Sequence, residues 1–338
     1  MTSTFPVARP PAGPAPTPHF HRTVDRSLVH RDALSEVFLT DCCPTGRDSY
    51  VAAAQIPSSH AYFGDALGTR DLADALLLVE CARQAETAGG HLVFGIEHGR
   101  RFVLLDWSLR LAAPGMAVRA GRPAELVIAV EGREVKRTGD LVHGLVFAMA
   151  LSRGGVPVGE VRMRVGYLRD EAYDLVRLRH RAGPPPTSVA VRPDPGGTPV
   201  APHLVGRADP ANVVLLDARS AYGELTARVR LAVEHPSLYD HAQDHVPGMV
   251  LLEAGRQAGL LALHDLAGAD PTTHALTGFE TAFSRFAELD APVLVRVRPR
   301  VGRPGDDHEL DVAFLQDGHV TAEGSMTFSP VSPARRDR

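Results

Sequence analysis

Cysteine is scarce in this chain: Cys42, Cys43 and Cys81 are the only three among 338 residues, and two of them are adjacent. Such a set makes no disulfide framework and fits a reducing cytoplasm. Lysine is rarer still. Lys136 stands alone among arginines, a skew that reads as base composition of the gene and carries no function. An excess of either charge is also missing, with 36 basic residues against 40 acidic ones and a formal charge of −4. A nucleic-acid binder would show a basic surplus. No run of about 18 uncharged apolar residues occurs, so no segment is expected to span a bilayer. The most apolar stretch, Leu141 to Leu151, is broken by His143 and Gly144. The N-terminus lacks the charged, apolar, small order of a secretory leader. The phosphate-cradling G-x-x-x-x-G-K-[ST], the G-x-S-x-G elbow, H-E-x-x-H and C-x-x-C are absent as well.

Proline and glycine are plentiful and clustered. Pro6, Pro10, Pro11, Pro14, Pro16 and Pro18 make residues 1–22 a disordered arm. A second cluster, with Pro184, Pro185, Pro186, Gly196 and Gly197, marks residues 181–202 as a linker. It separates two parts of similar length, residues 23–180 and 203–330, followed by a short tail, 331–338.

The two parts are repeats. Residues 60–90 read HAYFGDALGTRDLADALLLVECARQAETAGG, and residues 235–259 read HPSLYDHAQDHVPGMVLLEAGRQAG. Both contain Glu-x-x-Arg-Gln-Ala, as Glu80, Arg83, Gln84 and Ala85 and, 173 residues on, Glu253, Arg256, Gln257 and Ala258. Both are preceded by a hydrophobic run ending in an aspartate, Asp41 or Asp217, and then by a strand-like stretch starting at Ser49 or Glu224. Three more strand-like stretches follow each segment, starting at Glu125, Leu141 and Val156 in the first part and at Val293, His308 and Val320 in the second. Tight turns are signalled at Gly154-Gly155 and Asp317-Gly318. The helical pattern runs from about Ala73 to Thr87 and from about Pro247 to Leu263, apolar on nearly every face, as a buried helix must be. A long buried helix wrapped by an antiparallel sheet is a hotdog. The expected fold class is therefore α+β, a double hotdog of two tandem repeats.

Within these apolar helices, Glu80 and Glu253 are costly unless paired. Arginine three residues on and glutamine four residues on share the glutamate's face. Each stripe reads either as an ion pair that pins its helix or as part of a site. The second is favoured as functional because of what precedes it, Asp244-His245-Val246-Pro247-Gly248-Met249. Proline suits the first helical turn, and Gly248 opens the helix start, whose free N–H groups are suited to an oxyanion. His235, His241 and His245 fall within eleven residues. They stand before the helix with no cysteine near, which argues against zinc and for hydrogen bonding or acid–base work. His235 has a counterpart in His60, which favours a structural role. His241 aligns with Ala66 and so is asymmetric. Cys81 reads as a small core residue.

At these residues the chain resembles the A-factor biosynthesis (AfsA-type) family of γ-butyrolactone synthases. The resemblance covers about 28–170 and 203–328 and is most specific in HPSLYDHAQDHVPGMVLLEAGRQA. In the first repeat Ala61, Ala73 and Ala75 stand where the family has Pro, His and Pro. The resemblance implies an acyltransferase that moves a β-ketoacyl group from acyl carrier protein to dihydroxyacetone phosphate, on the way to a butenolide-type signal controlling antibiotic production. No metal or organic cofactor is implied, and no nucleic acid or membrane. The chain is expected to act as a monomer or homodimer. Catalytic roles fall to Glu253, Arg256, Glu80, His241 and His245, with Glu253 handling the acceptor's proton and Arg256 its phosphate. Substrate contacts fall to Arg83, Gly248, Met249, Gln257, Asp244 and His235. The alternatives are a hotdog thioesterase or dehydratase, or an acyl-binding regulator without turnover.

Overall fold

A computed structural model describes residues 17–68, 72–113, 122–192, 196–300 and 307–331. Most of the expected N-terminal arm, part of the linker and nearly all of the tail lie outside the described residues. Strands β1 (Leu39–Gly46) and β2 (Ser49–Ile56) lead into helix α1 (Ala75–Leu92). Strands β3 (Arg101–Leu111), β4 (Ala124–Thr138), β5 (Leu141–Arg153) and β6 (Val156–Leu168) follow. A short helix, α2 (Asp170–Leu178), leaves the first repeat. The order then recurs as β7 (Leu215–Ala221), β8 (Glu224–Val229), α3 (Gly248–Ala267), β9 (His274–Phe283), β10 (Leu294–Pro299), β11 (His308–Gln316) and β12 (His319–Pro330).

The twelve strands form one sheet in the order β1-β2-β4-β5-β6-β3-β9-β12-β11-β10-β8-β7. Read inward from either edge, the two halves have the same order, which is the expected double hotdog. Each repeat has four strands after its helix, one more than the sequence pattern showed. The additional ones, β3 and β9, carry Asp106, Gly278 and Glu280, residue types depleted in strands, and these hide the alternation. They pair with each other, Trp107 opposite Thr281 and Ser108 opposite Glu280, and so join the halves.

Asp74 starts α1 by accepting the Leu76 N–H at 2.8 Å. α3 starts after Pro247 and ends where Gly268 turns left-handed at φ 67°. Both helices outrun their expected ends. In α1 the glycines do not stop the helix; a Cβ at Gly89 would lie 2.1 Å from the Tyr50 ring, so the missing side chain lets that ring seat against the helix. The Tyr50 hydroxyl donates to Ala85 O at 2.8 Å. Leu76, Leu78 and Val79 of α1 and Val250 and Leu252 of α3 are fully buried under the sheet, each contributing about 1.5–3 kcal/mol.

The described part of the linker is docked, not loose. Ser188 and Gln243 exchange hydrogen bonds, Ser188 N to Gln243 O at 2.7 Å and Gln243 N to Ser188 Oγ at 3.0 Å. No helix of the described residues is long and apolar enough to cross a membrane.

Candidate active site

Each Glu-x-x-Arg-Gln stripe is a closed ionic cluster completed by an arginine from outside its helix. Glu80 receives Arg83 Nε at 2.9 Å, Gln84 Nε2 at 2.8 Å and Arg31 Nη2 at 2.7 Å. Glu253 receives Arg256 Nη2 at 2.7 Å, Gln257 Nε2 at 2.5 Å and Arg207 Nη2 at 3.0 Å. Burial pushes both carboxyls up. In Glu80, Arg31 and Arg83 more than reverse this and hold it at about 2; in Glu253, Arg207 and Arg256 do the same. Each glutamine also ties its helix to the residue that leads into β1 or β7, Gln84 Oε1 accepting from Phe38 N and Gln257 Oε1 from Val214 N.

The sequence reading missed Arg31 and Arg207. A signal was present: Leu28-Val29-His30-Arg31 recurs as Leu204-Val205-Gly206-Arg207 at the same distance before Asp41 and Asp217. Pairing an arginine with a carboxylate some fifty residues away depends on the packed fold.

The loop before each helix serves the other repeat. Asp240 accepts the N–H groups of Asp32 and Ala33 at 2.7 and 2.9 Å, while Asp65 accepts those of Ala208 and Asp209. His241 lies on the first repeat's cluster; burial, then the charges of Arg31 and Arg83, lower its pKa. In the same way the Tyr62 ring sits 4.5 Å from the Arg207 guanidinium. The sequence reading grouped Asp244–Met249 with Glu253, the glutamate that follows it. The fold sets His245 and Gly248 of this stretch against Phe102 and Leu104 of the first repeat, in a cavity whose lining does not include Glu253. His235 is committed to its own loop, with Nδ1 accepting from Ser237 N and Leu238 N and Nε2 meeting Asn212 Oδ1 at 2.9 Å.

Two cavities mark the pseudo-equivalent sites, and they differ greatly. The one beside Arg256, lined by Asp74, Leu111, Gly206 and Leu276, has about 30 Å³, room for a water or two. The space beside Arg256 is thus smaller than the phosphorylated triose expected there. The other has about 300 Å³ and lies between the start of β3 and the start of α3. Phe102, Leu104, Leu251 and Phe283 form its apolar wall, and Gly248, His245, Arg179, Arg285 and His319 also line it.

His245 is oriented in this cavity. Its Nδ1 is 2.6 Å from Asp244 Oδ1. Burial raises the Asp244 carboxyl, but the hydrogen bond and charge of His245 and the Tyr173 hydroxyl bring it to about 2. An ionised carboxylate only accepts, so Nδ1 carries a proton, and the tautomer this fixes presents Nε2 as the acceptor nitrogen. No partner for Nε2 occurs among the described residues. The N–H groups of Gly248 and Met249 at the helix start have no acceptor among the described residues, while the next two, Val250 and Leu251, both turn to Pro247 O. His245, Gly248 and the apolar wall thus meet at one cavity, an arrangement suited to acyl transfer.

A family model described as the A-factor biosynthesis hotdog domain matches residues 14–168 and 189–332. A 2-oxo-3-(phosphooxy)propyl 3-oxoalkanoate synthase of Streptomyces virginiae is 34% identical over 87% of this chain and 94% of its own length. One of the same name from Streptomyces coelicolor is 32% identical over 88% of each. Among solved structures, the dehydratase domain from the CurF module of curacin polyketide synthase aligns with a TM-score of 0.52 over 89% of this chain and all of that domain, at 11% identity. That likeness concerns the fold alone.

Proposed function

The chain belongs to the A-factor biosynthesis hotdog family, and from that membership we propose that it transfers a β-ketoacyl group from acyl carrier protein to the hydroxyl of dihydroxyacetone phosphate. The observation that carries this reading is the match, along nearly their whole length, to synthases named for an ester of that composition. In the proposed step His245 Nε2 takes the proton of the triose hydroxyl as its oxygen attacks the thioester carbonyl. The C–O bond forms, the C–S bond breaks, and the proton passes from His245 to the departing thiolate. Gly248 and Met249 N–H hold the oxyanion, and the wall around Phe102 and Leu251 takes the acyl chain. The phosphate goes to Arg179 and Arg285, cavity-lining guanidiniums that form no ion pair among the described residues. Glu80 and Glu253, held near 2 and fully paired, are poor proton acceptors; they fix Arg83 and Arg256 in place. His241 braces the loop through Asp240 and Gln243. The ester then condenses on itself toward a butenolide phosphate. A cytoplasmic setting belongs to the same proposal, supported by the three free cysteines.

Incubation of the pure protein with a β-ketoacyl carrier protein and dihydroxyacetone phosphate, followed by mass spectrometry, tests the reading. The phosphorylated ester is expected. Free β-keto acid with no ester would make the protein a thioesterase, and intact thioester would leave it a binding protein; either overturns the proposal.

A further inference from the structure

We propose that α2 is part of the catalytic apparatus, with Tyr173 as a positioning residue that holds the Asp244–His245 pair in its productive geometry. The inference rests on the role given to His245 above. α2 belongs to neither repeat's helix-and-sheet unit, and nothing in the sequence pattern marks it as functional. Its outward face carries Leu175 and Leu178, both exposed, while Tyr173 and Arg177 turn inward and are 6% and 2% exposed. The inward residues close on Asp244 of the second repeat's loop. The Tyr173 hydroxyl donates to the Asp244 carboxylate, 2.8 Å from Oδ2 and 3.0 Å from Oδ1. Arg177 Nη2 donates to Asp244 O at 2.7 Å and to Glu288 at 2.7 Å. The Arg177 guanidinium stacks 4.2 Å from the Phe286 ring, and that ring meets the His245 imidazole edge-on at 5.0 Å.

Asp244 can rotate about its own side chain, and a single contact to Nδ1 would leave it free to do so. The phenol fixes the carboxylate from the other side, so Oδ1 stays in front of Nδ1 and Nε2 stays aimed at the cavity. Burial and the Asp244 charge both raise the Tyr173 phenol, which keeps it a donor throughout the working pH range.

Tyr173→Phe removes the hydroxyl and keeps the ring. Its kcat is expected to fall about tenfold with KM for both substrates unchanged. In a His245→Gln background the same substitution is expected to cost nothing more, because a positioning residue acts only through the group it positions. Additive losses, or wild-type kcat in the single variant, overturn the proposal. A second measurement needs no turnover. In ¹⁵N-histidine NMR the His245 Nδ1 proton is expected to exchange severalfold faster in Tyr173→Phe than in the wild type. Ser188→Ala, which loosens the same loop at Gln243, is expected to leave that rate unchanged. Equal rates in wild type and Tyr173→Phe, or equal acceleration by Ser188→Ala, overturn the positioning role. Absence of ester with the wild-type protein would count against the reaction alone.

Discussion

Three buried carboxyls and the half-buried Asp244 show how neighbours decide ionisation. Glu80, Glu253 and Asp244 sit beside cations or strong donors and are held at about 2. Glu86 lies on α1 only one turn beyond Arg83, is 3% exposed, and has no cation bonded to it. Burial raises it to about 7, against the weaker pull of Thr87, Arg83 and Tyr167, whose hydroxyls lie 2.9 Å (Thr87) and 3.1 Å (Tyr167) away. The unfolded chain releases this proton near 4.5 and the folded chain near 7. Stability is therefore full below about 4.5, falls as pH rises to 7, and stays reduced above it. The shift corresponds to about 3 kcal/mol. Glu86→Gln is expected to abolish this decline, so that urea unfolding at pH 8 shows a more stable variant and at pH 5 an almost unchanged one. A variant less stable at both pH values would mean that Glu86 is ionised and paired in the fold. The Glu-x-x-Arg-Gln stripes were legible because a costly residue recurred at helical spacing in both repeats. Glu86 was not, since its counterpart in α3 is Gly259 and a single glutamate in a helix looks like any solvated one.

The helices illustrate the limits of reading elements from residue type. Their apolar centres were plain, but the first was expected to end near Thr87, whereas Gly89 and Gly90 lie inside a continuous helix, as Gly255 and Gly259 do in the second. They are small because other side chains occupy the space. A Cβ at Gly259 would lie 2.5 Å from the Phe328 ring, and one at Gly255 2.5 Å from the end of Met326. A methionine terminus can swing aside; an aromatic ring 0% exposed under the sheet cannot. Alanine is the better helix former by about 1 kcal/mol, and overpacking costs about 1–3 kcal/mol. Gly259→Ala is thus expected to lower the denaturant midpoint clearly, and Gly255→Ala to change it little or raise it. The reverse order would show that the Phe328 ring has room to retreat. Strands β3 and β9 were hidden by their residue types, and no local pattern announces their pairing with each other, between segments about 170 residues apart.

That pairing makes the two repeats one molecule. A self-complementary register across β3 and β9 continues the sheet from one edge to the other, and one apolar core includes residues of both α1 and α3. The site shares this dependence, because the 300 Å³ cavity takes Phe102 and Leu104 from the first repeat and His245 and Gly248 from the second. Neither repeat holds it alone, and of the two equivalent cavities one is open and the other has about 30 Å³. The chain carries its own reporter of the seam. Its one tryptophan, Trp107, is on β3, 2% exposed, with its ring 6.2 Å from Phe279 of β9. If the halves stand only together, tryptophan fluorescence and far-ultraviolet circular dichroism must follow the same urea curve, since losing the seam exposes core on both sides. Fluorescence that shifts at lower urea, while the helical signal persists, would show that the repeats part before they unfold. The cavity would then open and close with that separation, and activity would be lost along the fluorescence curve instead of the dichroism curve.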